Sequence, residues 1–300
     1  MKNFDLHTNV SSGSVCSIGG ELIACAVKGR QLLWHGDQAY WEGHAPLLFP
    51  IVGRAYGGQL IIDGCSYEMP IHGVVKNRIW SLVSQSSDRM MLRFVADAES
   101  LQHYPFAFVI DASYILHVDG FTTRYTVRNS GNRPMPFCIG AHPGFLCPME
   151  PHACLSDYEL HFAQNEEGTI YKLRDAAFPE RVFHLNELQN GHTLPLTDTL
   201  FTRYGSIVFA GTHSRSVALQ NRRTGEGLRL DFPDYKTLCL WTIPGSGFLC
   251  MEPWSGLPAF IGETGELADK PYVRTLPPGE CASYEYTVHV YSPANQSPQN

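Results

Sequence analysis

Apolar and polar residues alternate along most of the chain, and this period of two predicts short β-strands rather than helices. Residues 14–33 alternate in this way around the turn pairs Gly19-Gly20 and Lys28-Gly29, as expected for two antiparallel strands. Residues 34–44 are polar and aromatic without a clear period, and we expect a loop there.

A hairpin is predicted where Gly57-Gly58 and Asp63-Gly64 flank the apolar residues 59–62, with 65–70 as the return strand. The preceding segment, 45–54, is apolar but contains two prolines. Because proline cannot donate a hydrogen bond to a neighbouring strand, this segment is not expected to be a central strand throughout.

Further stretches rich in β-branched and aromatic residues predict the rest of the strands. They are residues 80–83, 90–95, 106–116, 120–129, 135–139, 206–210, 216–220, 227–231, 237–241 and 282–291. Turn residues recur about every 8 to 12 positions, which is typical of a sandwich or barrel rather than of βαβ units. The pattern is weak between 148 and 178, and residues 194–201 are the one candidate for a short helix.

The length of 300 residues is compatible with one large β domain. No linker or internal repeat divides the chain, so we expect one antiparallel all-β domain spanning 1–300, with a polar, proline-rich tail at 292–300 that frays.

Charge and cysteine content exclude several classes of protein. Twenty-two basic against twenty-nine acidic residues give a net charge of −7, and no basic run exceeds the pair Arg222-Arg223, so nucleic acid is not an expected partner. The nine cysteines contain no C-x-x-C pair, and residues 1–20 have no signal-peptide pattern, which favours a reducing cytoplasm. No apolar run approaches the roughly 18 residues that span a bilayer, so we expect a soluble protein.

One carboxylate and two histidines are the candidates for chemistry. Glu252 stands between an apolar run and a Pro-Trp pair, and His72 and His142 are each flanked by apolar residues and followed by Gly or Pro. An apolar environment raises the pKa of a carboxyl group and makes it a useful proton acceptor, while histidine titrates near neutrality. Against this, each histidine could be an ordinary strand-end residue, and Glu252 could be the buried partner of Arg54.

Other kinds of site have less support. Two histidines and a glutamate could bind a metal, but H-E-x-x-H spacing is absent and the remaining histidines are scattered. The chain contains no G-x-S-x-G sequence either, so a serine nucleophile is not predicted. Trp254, two residues after Glu252, is placed to pack its ring against a sugar or simply to cover the base of a cleft.

Four segments in order, residues 45–54, 70–73, 139–145 and 251–256, resemble the aldose 1-epimerase (galactose mutarotase) family, and in particular its bacterial lactose-operon-associated branch. The resemblance extends from about residue 14 to 290 and implies a single-domain antiparallel β-supersandwich with a cleft across its concave sheet, and no cofactor. It further implies that four residues bind a small-molecule sugar or act on its anomeric centre. Glu252 would be the base at O1, His142 the acid at the ring oxygen, His72 a helper that positions these oxygens, and Arg54 a ligand of a hydroxyl group.

One departure from the family leaves the substrate open. The family often carries a sugar-binding aspartate in a segment that here reads 200–209 and has no acid, and neither Asp198 nor Asp231 matches the motif. The sequence therefore predicts a mutarotase of aldohexoses, with two alternatives. One is a carbohydrate-binding or sensing protein with little turnover, and the other is a hexose-6-phosphate mutarotase that uses Lys76 and Arg78. The oligomeric state, monomer or homodimer, stays open.

Overall fold

The computed structural model describes residues 1–174 and 178–291, so the predicted frayed tail lies outside the described residues. Its strands are β1 (Asn3–His7), β2 (Ser11–Cys16), β3 (Leu22–Val27), β4 (Arg30–Gln31), β5 (Leu47–Leu48), β6 (Gln59–Ile62), β7 (Cys65–Glu68), β8 (Ser81–Gln85), β9 (Arg89–Val95), β10 (Phe108–Leu116), β11 (Gly120–Asn129), β12 (Met135–Phe137), β13 (Ile139–Ala141), β14 (Gly144–Leu146), β15 (Tyr158–Phe162), β16 (Thr169–Arg174), β17 (Phe178–His184), β18 (Thr193–Pro195), β19 (Ser206–Ala210), β20 (Ser216–Asn221), β21 (Gly227–Asp231), β22 (Thr237–Trp241), β23 (Phe248–Ser255), β24 (Arg274–Leu276) and β25 (Cys281–Tyr291). The helices are α1 (Ala98–His103), α2 (Asp198–Tyr204) and the 3-10 turns Tyr56–Gly58, Leu155–Asp157 and Leu267–Asp269.

The predicted all-β class is confirmed, and two large antiparallel sheets make up the molecule. A nine-stranded sheet has the order β18-β15-β20-β21-β25-β11-β10-β9-β8. The second sheet has the order β17-β16-β19-β22-β23-β13-β5, and β14 also pairs with β23. Smaller sheets, β1 to β4, β6-β7 and β12-β24, complete the described fold.

Inward-facing residues of both large sheets join one apolar core. In β22, Leu238 and Leu240 belong to it, and in β10 Ile110 and Ala112 do so from the opposite sheet. Because successive side chains of a strand point to opposite faces, the alternate residues of β22, such as Cys239, face away from this core. That second face of the β22 and β23 sheet carries the cleft described below.

The predicted strands at 120–129, 206–210, 227–231 and 237–241 coincide with β11, β19, β21 and β22, and the predicted hairpin is β6-β7. The segment with two prolines contributes only the two-residue edge strand β5, as the missing backbone donors require.

The helix predicted at 194–201 is displaced. Residues Thr193–Pro195 pair as β18 with β15, and the helix begins only at Asp198. Thr197 sets this start, because its side chain accepts a hydrogen bond of 3.1 Å from the Leu200 N–H and caps the helix. The helix α1 was not predicted. It is held by a reciprocal cap between Asp97 and Ser100.

The loop that carries His72 depends on a close approach of two backbones. Gly73 has a φ of 81°, and a Cβ atom there would lie 1.9 Å from the carbonyl oxygen of Phe49. Gly29 has a nearly equal φ of 78°, but a Cβ atom there would meet nothing within 4 Å. An alanine at either glycine would therefore have the same backbone strain, but only an alanine at Gly73 would also clash with a neighbouring backbone.

We predict that Gly73→Ala destabilises the protein by clearly more than Gly29→Ala. The control substitution should cost only the left-handed strain of about 1–2 kcal/mol, whereas Gly73→Ala must also move a backbone segment. Urea unfolding of both variants beside the wild type measures the difference. Equal losses would show that the loop at Gly73 relaxes freely and that the clash has no effect.

Candidate active site

Glu252 lies in the middle of β23, a strand that is buried along its whole length. In the register with β22 it stands opposite Cys239, and Trp254 stands opposite Thr237. Leu249 and Met251 belong to the core, so Glu252 and its alternate neighbours Cys250 and Trp254 point to the other face.

His142 lies directly across from Glu252 at an interruption in the strand pairing. β13 pairs with β23 as far as Gly140 opposite Trp254, and β14 resumes with Gly144 opposite Cys250. The register is the same on both sides of the gap, which places His142 opposite Glu252. Met251 donates a 3.3 Å hydrogen bond to the Pro143 carbonyl across the same gap.

The two side chains are in contact and almost completely shielded from water. His142 Nε2 lies 3.2 Å from Glu252 Oε2, and the exposed fractions of the side chains are 9% and 2%. Oε2 forms no hydrogen bond within the described residues. Burial raises the pKa of Glu252 well above its usual range, and contacts with Cys239 and Trp254 offset part of that rise.

Two tryptophans hold the ring of His142. Trp41 stacks on it with ring centroids 4.9 Å apart and an interplanar angle of 29°, and Trp241 contacts it edge-on at 5.7 Å. Burial lowers the pKa of His142 to about 3, and the positive charge of Lys76 acts in the same direction. The buried imidazole is therefore a weak base that gives up a proton readily.

His72 reaches the site from the loop after β7. Its ring lies perpendicular to that of His142, with centroids 5.4 Å apart. Nδ1 accepts a 3.1 Å hydrogen bond from the Gly53 N–H, so in the neutral ring the proton is on Nε2, which can donate. Burial lowers the pKa of His72 well below its usual range, with further lowering by His142, Lys76 and Arg54. The neutral form is thereby favoured.

These groups line a cleft of about 430 Å³. Its lining residues are Trp41, Gly53, His72, His142, Gly205, Ser206, Cys239, Trp241, Glu252 and Trp254. The structure thus brings together the four predicted residues Glu252, His142, His72 and Trp254. The buried indole of Trp254 acts on the carboxylate of Glu252, whose pKa it lowers.

Arg54, predicted to bind a hydroxyl group, is exposed next to the lining residue Gly53. Its charge acts on His72, which places it at the rim of the cleft rather than in its lining. The ion-pair alternative for Glu252 is not what the structure shows, because the carboxylate contacts His142.

Sequence reasoning missed Trp41, Trp241 and Cys239 as site residues. Trp241 and Cys239 were assigned only to a strand, although their spacing of two already places them on one face of β22. Trp41 lies in the loop predicted at 34–44, where no periodicity marks it. That loop is held in place by hydrogen bonds from the Trp34 indole to the Trp41 carbonyl, 2.7 Å, and from the His44 N–H to Glu21, 2.7 Å.

The segment 200–209, which has no acid, does contribute to the cleft through Gly205 and Ser206. Asp198 is exposed at the start of α2. Asp231 lines a separate surface hollow and pairs with Arg229 at 2.9 Å. Neither aspartate takes the place of the family's sugar-binding acid.

A metal could be held only by giving up the acid/base arrangement. A ring nitrogen of His142, the Cys250 thiol and a Glu252 carboxylate oxygen all lie within 4.8 Å of one another. The cleft without an ion already contains a proton acceptor beside a proton donor.

No helix in the described residues has the length and apolar character to cross a bilayer.

Comparisons with known proteins identify the family of the chain. The sequence profile of the aldose 1-epimerase family matches residues 5–271. The plasmid-borne protein LacX of Lactococcus lactis subsp. lactis is 33% identical over 289 residues, which cover 91% of this chain and 94% of LacX.

Solved structures share the fold. A galactose mutarotase-like protein from Lactobacillus casei superimposes with a TM-score of 0.89 at 24% identity, covering 97% of this chain and all of its own. A galactose 1-epimerase from Lactobacillus acidophilus does so with a TM-score of 0.67 at 14% identity, covering 97% and 99%. The match of the family profile over nearly the whole chain, together with these likenesses, shows that the chain belongs to the aldose 1-epimerase family.

Proposed function

We propose that the protein is an aldose 1-epimerase that interconverts the α and β anomers of free aldohexoses by opening and closing the sugar ring. The observation that carries this proposal is the contact of 3.2 Å between the almost fully buried side chains of His142 and Glu252. Mutarotation needs one proton taken from O1 and one given to the ring oxygen, and this pair supplies an acceptor and a donor side by side.

In the forward step Glu252 accepts the proton of the O1 hydroxyl while His142 protonates the ring oxygen. The C1–O5 bond breaks, the aldehyde rotates about C1–C2, and the ring recloses with the two proton transfers reversed. Because the products of ring opening are protonated Glu252 and neutral His142, both transfers run in the direction that burial favours. Because burial disfavours the charged forms of both groups, the reactive state with charged His142 and Glu252 is a minor one that their contact of 3.2 Å stabilises, and the pair titrates as a unit.

The remaining lining residues support binding and orientation. His72 lines the cleft and its Nε2–H is a donor that suits a sugar oxygen, and Trp254 lines the cleft beside Glu252. Trp41 and Trp241 enclose His142, exclude water from its ring and keep the two proton-transferring groups in one geometry. Arg54 at the rim is proposed to bind a sugar hydroxyl group.

A second candidate substrate, a hexose 6-phosphate, is favoured by Lys76. The charge of this lysine acts on both His72 and His142, so a cation stands near the cleft. Arg78, the other predicted phosphate ligand, is already engaged in ion pairs with two carboxylates. It pairs with Asp97 at 2.5 Å and also with Glu99.

We predict that Glu252→Gln reduces anomer interconversion by about 10²- to 10⁴-fold, the usual contribution of a general base. Polarimetry of freshly dissolved α-D-glucose and α-D-galactose measures the rate. Glu68→Gln changes an exposed carboxylate on β7 and serves as the matched control with wild-type activity. Near-normal rates in Glu252→Gln would remove Glu252 as the base, and saturable sugar binding without any acceleration by the wild type would favour the sensing alternative.

The same variant should be more stable than the wild type at neutral pH. The folded-state pKa of Glu252 lies above its unfolded value of about 4.5, so the folded state binds more protons and wild-type stability falls as pH rises above that value. Glutamine does not ionise, and the gain in thermal midpoint should therefore grow from pH 5 to pH 8. A constant difference across this range, or a loss of stability, would contradict the assignment of Glu252 as a carboxylate destabilised by burial.

The substrate prediction concerns Lys76. If a phosphate is bound, Lys76→Met should raise KM for glucose 6-phosphate by about tenfold, the effect of losing one charge-assisted hydrogen bond, while KM for glucose stays constant. Arg78→Gln is the control and should leave the ratio of the two KM values unchanged. Equal effects of Lys76→Met on both sugars would remove the phosphate candidate.

A further inference from the structure

Three buried side chains of different chemistry meet beneath the sugar position. A ring nitrogen of His142, Sγ of Cys250 and a carboxylate oxygen of Glu252 lie within 4.8 Å of one another. Nitrogen, sulfur and oxygen are the donors that Zn²⁺ takes in proteins, at about 2.0–2.3 Å from the ion. Donors around one tetrahedral ion at those distances stand about 3.5 Å apart, so the donors must approach one another by up to about 1.3 Å to enclose one.

The arrangement is fixed by the sheet rather than by a mobile loop. Cys250 and Glu252 are two residues apart on β23 and therefore on one face, and His142 lies across from them at the interruption between β13 and β14. Gly144, opposite Cys250, admits the ring of Trp41, since a Cβ atom there would lie 2.7 Å from Cζ3 of that ring and 3.4 Å from Sγ. The sheet thus holds the three donors on one face.

The polar atoms of this cluster are only partly satisfied. His142 Nδ1 is buried and forms no hydrogen bond within the described residues, whereas Glu252 Oε2 contacts His142 Nε2 at 3.2 Å. Buried polar atoms are normally satisfied, and leaving one unpaired costs about 1–3 kcal/mol. A cation bound between the two residues would replace the contact between Oε2 and Nε2, and the cleft next to His142 offers room for a water molecule as the fourth ligand.

We propose that His142, Cys250 and Glu252 form a binding site for a thiophilic divalent cation such as Zn²⁺, and that the bound ion inhibits the protein. Binding replaces the thiol proton of Cys250 and the proton shared by His142 and Glu252 with bonds to the ion, and both protons are released to solvent without any redox change. The ion then occupies the acceptor and the donor of the acid/base pair together. The inhibition rests on the proposed function, whereas the binding does not.

Titration of the metal-free full chain with Co²⁺ tests the binding. Thiolate coordination should produce a near-ultraviolet charge-transfer absorption that Zn²⁺ abolishes by displacing Co²⁺. The absorption should be lost in Cys250→Ala and in the size-conserving Cys250→Ser. Glu252→Gln removes a second ligand without touching the thiol and should weaken Zn²⁺ binding at least about tenfold.

Two other cysteines serve as controls. Cys239 lies beside Glu252 from β22 but is not one of the three donors, and Cys65 is exposed on β7. Cys239→Ala and Cys65→Ser should keep the absorption. No absorption in the wild type, or an absorption that persists in both Cys250 variants, would overturn the proposal.

Polarimetry with Zn²⁺, followed by a chelator, tests the inhibition. The wild type should lose its acceleration and recover it with the chelator, and Cys250→Ser should need at least about tenfold more Zn²⁺ for the same loss. Activation by Zn²⁺ would overturn the inhibitory role. If the metal-free protein shows no mutarotation, the proposed function fails, while the Co²⁺ titration still decides whether the metal site exists.

Discussion

A carboxylate and an imidazole held in contact and buried together are the constraint on which the rest of the structure depends. Isolated buried charges are costly, and an unpaired ionised group usually neutralises instead. Here Glu252 and His142 lie 3.2 Å apart, so each can stabilise the charged form of the other. A rigid scaffold has to hold that contact, and the two packed sheets provide it.

The pairing beside β23 is interrupted at the same site without a change of register. His142 therefore stays opposite Glu252, and directly opposite residues of antiparallel strands lie on the same face of the sheet. Pro253 fits this arrangement. Met251 donates across the gap, and because donors alternate along a strand, the N–H that Pro253 lacks would have pointed to the same side. The strand can thus contain a proline although it lies inside the sheet.

Much of this was accessible from the sequence, for identifiable reasons. The period of two along β11, β19, β21 and β22 is strong because one face of each strand is buried in the core. The family resemblance located Glu252, His142 and His72, whose common position depends on pairings between strands more than a hundred residues apart and cannot be derived from spacing. Trp41 is a different case, since it reaches the cleft from a loop whose shape is set by hydrogen bonds to Glu21 and Trp34. The pairing of Arg78 with Asp97 and Glu99 could not be predicted from the sequence either, because it depends on where α1 begins.

The place of β25 in its sheet has a consequence for how the molecule is made. This strand, Cys281–Tyr291, is the last one described, yet it lies between β21 and β11 in the middle of the nine-stranded sheet. A chain leaving the ribosome therefore carries β21 and β11 with open edges until residue 291 has emerged. Open edges pair readily with other chains, and sheets dominated by distant pairings form slowly. This strand order therefore leaves the facing edges of β21 and β11 open to pairing with other chains until β25 is in place.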